Sequence, residues 1–258
     1  MNEFWWGQIT LPKDNSLQLD IGSLSLAVEN KQKEWCIHTQ QDSEIDTNNI
    51  VKKHTGHFSP CNYQEKLRFV VNDDVNKIEI MPALADRSIV CRPSSAIDIA
   101  AGAKAVLYVS TPVWLSINLI GKERFLLKEI PSQRLSDTWF GSSTMVGDLC
   151  YATTTSGRMD FEKLPFRIQR ITTPLIINNI ANKRLVFERV ALPVPLLSVF
   201  ANTMGQLWTQ PVTFTREDDD ELARLKIGQA PVDTTLITPA REKNSQSELF
   251  RAFSAIFN

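Results

Sequence analysis

The residue types best suited to metal binding are concentrated in one early stretch of the 258-residue chain. All three histidines and two of the four cysteines lie there, in the spacings Cys-x-His and His-x-x-His-x-x-x-Cys: Cys36, His38, His54, His57 and Cys61. Zinc sites use about four nitrogen and sulfur ligands in a tetrahedral array. The ligand types therefore permit zinc, although the spacings match no common zinc signature. The other interpretation is a strand whose Cys36 and His38 share one face, followed by a polar loop.

No motif of a nucleophilic or phosphate-binding enzyme occurs in the sequence. There is no Gly-x-Ser-x-Gly elbow and no glycine-rich phosphate loop. The acidic pair Asp73-Asp74 has turn-like neighbours, and the acidic run at 217–221 lacks the glycine and ligand spacing of a calcium loop. We interpret both as solvated segments and predict no catalytic residues. A carbohydrate-active protein would need two carboxylates facing each other across a cleft.

Short apolar runs that alternate with polar residues dominate the chain and predict β-strands. Residues 16–22 and 23–29 alternate on both sides of Gly22, which predicts adjacent strands around a tight turn. Further candidate strands follow at 34–38, 66–71, 77–81, 97–115, 166–171, 175–179, 183–195 and 207–215. Many short strands are typical of sandwiches and barrels. We therefore expect an all-β fold with two β-sandwich-like (immunoglobulin-like) units.

The last third of the chain changes character. Residues 228–244 are polar and contain two prolines, which is typical of a linker. Ser245 and Glu248 then have the spacing of a capping box. The apolar residues that follow fall on one helical face: Leu249, Phe250, Phe253, Ile256 and Phe257. We predict a short C-terminal amphipathic helix, and three regions at 1–130 (first sandwich), 131–227 (second sandwich) and 228–258 (linker and helix).

An amphipathic helix after a polar linker is suited to binding in a groove. The predicted docking residues are the five apolar positions of that helix, and the groove would belong to a protein partner or to another copy of the chain. The alternative is that the helix folds back on its own domain. The Trp5-Trp6 pair also has two interpretations: an exposed binding platform, or side chains that plug the first sandwich.

Bulk composition excludes some classes of partner. Lys and Arg number 28 against 29 acidic residues, whereas nucleic-acid binders usually carry a basic excess, so no nucleic acid is expected. No window approaches the roughly 18 apolar residues of a membrane-spanning helix. The first seven residues have no secretory-signal pattern, so we expect a cytoplasmic protein with reduced cysteines.

Several segments in the middle of the chain resemble a known family. They are 97–102 leading to 108–113, 138–141 followed by 147–151, and the later strands at 175–179 and 191–194. These segments resemble the bacterial and archaeal family catalogued as domain of unknown function 432. The resemblance spans roughly the middle half of the chain, and the tail from Gly228 lies outside it.

The resemblance implies no activity and no catalytic residue, because none is established for the family. It implies genes encoded beside small mechanosensitive membrane channels. We therefore expect a non-enzymatic interaction protein, an accessory subunit that docks on such a channel and reaches the inner membrane only through it. No cofactor is expected. The other expectation is a metal-binding (zinc) or carbohydrate-active β-sandwich protein.

Overall fold

The computed structural model describes residues 4–41, 52–57, 63–71, 75–141, 147–155, 157–162, 164–217, 222–243 and 249–252. Within these ranges the chain forms 23 strands, one 3-10 turn at Val194–Leu196 and no α-helix. The first twelve strands are β1 (Gly7–Thr10), β2 (Asn15–Ile21), β3 (Leu24–Asn30), β4 (Glu34–Gln41), β5 (Lys52–Gly56), β6 (Glu65–Val70), β7 (Lys77–Ala83), β8 (Ile89–Pro93), β9 (Ile97–Ile99), β10 (Lys104–Pro112), β11 (Trp114–Ile120) and β12 (Arg124–Pro131). The others are β13 (Ser136–Phe140), β14 (Asp148–Thr155), β15 (Arg170–Asn179), β16 (Leu185–Phe187), β17 (Val190–Leu192), β18 (Val199–Asn202), β19 (Leu207–Trp208), β20 (Val212–Arg216), β21 (Leu222–Ile227), β22 (Thr234–Thr238) and β23 (Leu249–Arg251). The all-β prediction is confirmed.

The chain divides into two compact units, each assembled from separated segments. The first contains Met1–Ala83, Pro112–Arg134 and Arg167–Gln169, and the second contains Leu84–Thr111, Leu135–Phe166 and Arg170–Asn258. The division into 1–130, 131–227 and 228–258 stays a prediction, because compactness does not establish which pieces fold independently.

The first unit contains two antiparallel sheets. One has the strand order β5-β2-β3-β4-β6 and the other β1-β7-β11-β12. The predicted hairpin of β2 and β3 is confirmed, with Leu19 opposite Leu26 and Gly22 at a φ of 61° in the turn. A positive φ suits glycine because it has no Cβ. The hairpin turn is tied to the end of β12 by the Ser23 hydroxyl, which donates to the Ser132 carbonyl over 3.1 Å.

Alternation along the strands gives each sheet of the first unit a buried apolar face. On the apolar face of the five-stranded sheet the fully buried side chains come from the three central strands: Leu17, Leu19, Ile21, Leu24, Leu26, Val28, Trp35 and Ile37. On the four-stranded sheet they come from β7 and β11: Ile78, Ile80, Leu115 and Ile117. Burial of a Leu or Ile side chain stabilises a fold by about 1.5–3 kcal/mol, so the packing of these two apolar faces stabilises the first unit.

The second unit contains an eight-stranded sheet of order β22-β18-β19-β15-β20-β21-β23, with β10 also paired to β15. Its central strand β15 is parallel to both β19 and β20. A four-stranded sheet (β13-β14-β8-β17) and a two-stranded sheet (β16-β9) complete the unit. Buried Leu175, Ile177, Val212 and Phe214 form the apolar face where β15 and β20 pair.

The predicted C-terminal helix is wrong where the structure describes it. Leu249–Arg251 form β23, which pairs antiparallel with β21 (Leu222–Ile227). The following Ala252 is fully buried, and its carbonyl accepts a hydrogen bond from the Ala191 amide over 3.1 Å. The free edge of β21 offers backbone partners, and such tertiary pairing overrides a local helical pattern. The capping-box residues Ser245 and Glu248, and Phe253, Ile256 and Phe257, lie outside the described residues.

The polar segment predicted as a linker contributes to the same sheet. Within it, Thr234–Thr238 form β22, which pairs antiparallel with β18. Further along, the Arg241 guanidinium donates to the Leu84 carbonyl over 2.6 Å. In the part of the chain that the structure describes, no helix is long and apolar enough to cross a membrane.

Candidate functional site

Strands β3 and β4 bring three ligand-type side chains together on the five-stranded sheet. Glu29 lies directly opposite Cys36, and Ala27 opposite His38. Because side chains alternate between the faces of a strand, Cys36 and His38 project from the same face, and Glu29 projects beside them. One ligand atom from each of Glu29, Cys36 and His38 lies within 4.8 Å of the others. We call these three residues the β3–β4 cluster.

The β3–β4 cluster is buried and internally bonded. His38 Nε2 lies 2.7 Å from Glu29 Oε2, and all three side chains are buried. Lys31 Nζ, which is partly exposed, lies 3.4 Å from the same Oε2. A buried carboxylate is costly unless it is paired, so these two contacts explain how Glu29 is tolerated there.

A second carboxylate sits beside the thiol of the cluster. The Cys36 Sγ lies 3.7 Å from Glu34 Oε1, and the Arg68 Nε donates to Glu34 Oε2 over 2.7 Å. The hydrogen bond from Arg68 lowers the pKa of Glu34. Burial, and then the charge of Glu34, raise the pKa of the Cys36 thiol. Without an added cation, Cys36 is therefore a protonated thiol at neutral pH.

An open cavity reaches the β3–β4 cluster at Glu29. Its volume is ≈ 570 Å³, and polar side chains line it: Asp14, Asn15, Ser16, Glu29, Asn30, Lys31, Gln32 and His57. His57 is held at its rim, because its Nδ1 lies 2.8 Å from the Asp14 carbonyl oxygen. The cavity thus gives a small polar molecule access to the Glu29 carboxylate.

The structure brings some of the sequence-predicted metal ligands together and separates others. Cys36 and His38 share the β3–β4 cluster, and His57 lines the adjoining cavity. His54 is on β5, and β2 and β3 lie between that strand and β4. Cys61 lies outside the described residues. The three-residue turn between β3 and β4 was the signal that could have revealed Glu29, because it sets Glu29 opposite Cys36.

A surface cluster of aromatic rings lies in the second unit and was not predicted. The Phe161 ring lies 5.6 Å from the Tyr108 ring and 5.8 Å from the Trp208 ring, measured between centroids. Phe161 and Met159 are each 58% exposed. We call Tyr108, Met159, Phe161 and Trp208 the aromatic patch. Single exposed apolar residues are ordinary, whereas contiguous rings at the surface are typical of interaction sites.

Two strands and a tethered segment position the aromatic patch. Tyr108 comes from β10 and Trp208 from β19, and both strands pair with β15. The Tyr108 amide donates to the Arg158 carbonyl over 2.7 Å, which fixes the segment carrying Met159 and Phe161. The exposed Phe161 ring therefore lies between two other rings that separate strands position.

The remaining sequence candidates are distributed as follows. Trp5 is buried and makes edge-to-face contact with Trp6, which favours the plug interpretation over an exposed platform. Glu217, at the start of the acidic run, pairs with Arg224 at 2.8 Å. Of the predicted docking residues, Leu249 and Phe250 belong to β23. Asp73-Asp74 lies outside the described residues.

Comparison with known proteins identifies the family. Residues 5–258 match the model of the family described as Protein of unknown function (DUF432), and the chain belongs to this family. The predicted resemblance is confirmed and extends further than expected, because the match includes the tail from Gly228. No curated protein and no solved structure matches the chain.

Proposed function

We propose that the protein is a non-enzymatic accessory subunit that docks through the aromatic patch on a small mechanosensitive membrane channel. The observation that carries this proposal is the exposed Phe161 ring held between Tyr108 and Trp208. Aromatic residues and methionine are enriched at the centres of protein interfaces, where they supply much of the binding energy.

The fixed geometry of the aromatic patch favours binding. Ordering a side chain at an interface costs about 0.5–1.5 kcal/mol, and a ring already held in place avoids most of that cost. Phe161 is held by its neighbouring rings, and the segment that carries it is tethered to β10. The patch is therefore organised for a preformed partner surface.

Family membership supports the choice of partner. The family resemblance implies genes that neighbour small mechanosensitive channels, and the family match spans nearly the whole chain. We also propose that the protein is cytoplasmic and reaches the inner membrane only through its partner. It is also proposed to contain two sandwich-like units, which is supported in the first unit by two sheets that each bury one apolar face.

Co-purification from native membranes tests the proposal. The tagged wild-type chain is expected to retain the channel, identified by mass spectrometry, whereas Phe161→Asp is expected to lose most of it. Phe125→Asp is the matched control, because Phe125 is 59% exposed but belongs to the other unit. Equal channel recovery with the wild type and Phe161→Asp, or none with the wild type, would contradict the proposal.

A further inference from the structure

We infer that Glu29, Cys36 and His38 form a zinc-type metal site whose fourth coordination position opens toward the cavity. The inference is independent of the docking proposal, since the β3–β4 cluster and the aromatic patch lie in different units.

The donor set suits a borderline-soft divalent ion. Thiolate, imidazole and carboxylate are the three ligand types that zinc takes in proteins, and a thiolate disfavours calcium or magnesium. Zinc sites with three protein ligands keep a fourth position for water or another small ligand. The three side chains of the β3–β4 cluster therefore specify an open site rather than a closed structural one.

The spacing of the donor atoms requires little rearrangement. Around a tetrahedral ion with bonds of about 2.0–2.3 Å, neighbouring ligand atoms lie about 3.3–3.6 Å apart. In the β3–β4 cluster the three atoms lie within 4.8 Å of one another, and His38 Nε2 and Glu29 Oε2 are 2.7 Å apart. The histidine–carboxylate contact must therefore open slightly, and the thiol lies no more than 4.8 Å from either of the other two atoms. Rotations of the three side chains on the paired strands β3 and β4 are enough to reach ligand spacing.

The existing contacts of Glu29 leave the carboxylate able to bind. Both His38 and Lys31 contact Oε2, so Glu29 also has Oε1 to offer. The Lys31 side chain is 41% exposed and can turn toward solvent. A divalent cation bound to Glu29 then replaces the positive charge of Lys31 beside the same carboxylate.

The cavity supplies the fourth position. It is lined by Glu29 together with Ser16, Asn30, Lys31 and His57. A water molecule or a small oxygen donor can enter it and reach a metal bound at Glu29.

Cobalt is the probe that distinguishes this site from an ordinary hydrogen-bonded cluster. The full chain, carrying no polyhistidine tag and stripped with a chelator, is titrated with Co²⁺. We expect one ion per chain, thiolate-to-cobalt charge-transfer absorption, the visible bands of four-coordinate Co²⁺, and displacement by one equivalent of Zn²⁺. Absence of thiolate absorption at saturating Co²⁺ would overturn the inference.

Matched variants assign the ligands. Cys36→Ser should remove the charge-transfer absorption, and His38→Gln and Glu29→Gln should each weaken Co²⁺ binding by more than the roughly 10–100-fold typical of losing an outer-sphere partner. Cys150→Ser and His54→Gln should bind Co²⁺ as the wild type does. Circular dichroism of each apo variant verifies folding, and the zinc-induced rise in melting temperature gives a second readout. Equal losses in His54→Gln and His38→Gln would refute the assignment.

Discussion

Asn179 offers the sharpest test of how the second unit is held together. This residue is fully buried at the end of β15. Its side-chain amide lies within hydrogen-bond distance of three carbonyl oxygens, those of Ile99 at 3.1 Å, Ala100 at 3.0 Å and Lys183 at 2.8 Å. One side chain therefore connects β9, the turn after it and the loop before β16.

The number of hydrogen-bond donors on the Asn179 amide sets the stability that its removal should cost. An amide nitrogen has two hydrogens, so three acceptors share about two full hydrogen bonds. Each contributes about 1 kcal/mol net, and buried carbonyls left without a donor add a further penalty of about 1 kcal/mol or more. Asn179→Ala is therefore expected to lower the free energy of unfolding by about 3 kcal/mol. With a urea m-value of about 3 kcal/mol/M, the midpoint should fall by about 1 M.

The neighbouring asparagine provides the control. Asn178 is half-buried, and its amide makes one long contact of 3.5 Å to the Thr215 hydroxyl. Asn178→Ala should shift the urea midpoint by less than about 0.2 M, because the contact is weak. Equal midpoints for Asn179→Ala and the wild type, at unchanged m-value, would refute the view that Asn179 organises this region.

Two further predictions concern the buried thiols and the final strand. Burial raises the pKa of Cys91 to about 12 and that of Cys150 to about 11, so the native chain at pH 8 should resist alkylation at both, as mass spectrometry would show. An unfolded thiol ionises near pH 9, so the stability that these two thiols contribute is fully present below pH 9 and is lost as the pH rises toward 11–12. Urea unfolding over this pH range measures the loss. Rapid alkylation of the native chain, or a stability that rises with pH over this range, would contradict the prediction. Truncation after Lys243 removes β23 and exposes the edge of β21, so the truncated chain should self-associate on size-exclusion chromatography. The free energy of unfolding should change by less than about 2 kcal/mol, because the loss of the ladder hydrogen bonds and the gain in chain entropy nearly cancel. A truncated chain that stays monomeric, or one that unfolds outright, would count against this assignment of β23.

Local patterns predicted much of the first unit. Alternation around Gly22 gave the β2–β3 hairpin, and the two-residue spacing of Cys36 and His38 gave their shared face. Glu29 was missed because its place beside Cys36 depends on the register between two strands. Such a register is set by the turn and by the buried face together, which the sequence does not display directly.

The structure of the second unit was harder to predict from the sequence, because its contacts join residues that are far apart in the chain. Tyr108, Phe161 and Trp208 are far apart in the chain and meet only through the pairing of β10 and β19 with β15. The prediction of a C-terminal helix was wrong for a related reason. Its apolar spacing fits a helix, but the free edge of β21 offers Leu249–Arg251 a strand partner that no local pattern reveals.

Direct binding to the purified channel tests the central proposal most closely. The full chain is titrated against a small mechanosensitive channel reconstituted in lipid nanodiscs, and Kd is measured for the wild type, Phe161→Asp and Phe125→Asp. Loss of a central aromatic anchor costs about 2 kcal/mol or more, so Phe161→Asp should raise Kd about 30-fold, while Phe125→Asp stays within about twofold of the wild type. No wild-type binding at micromolar channel, or equal Kd values for all three chains, would contradict docking through the aromatic patch.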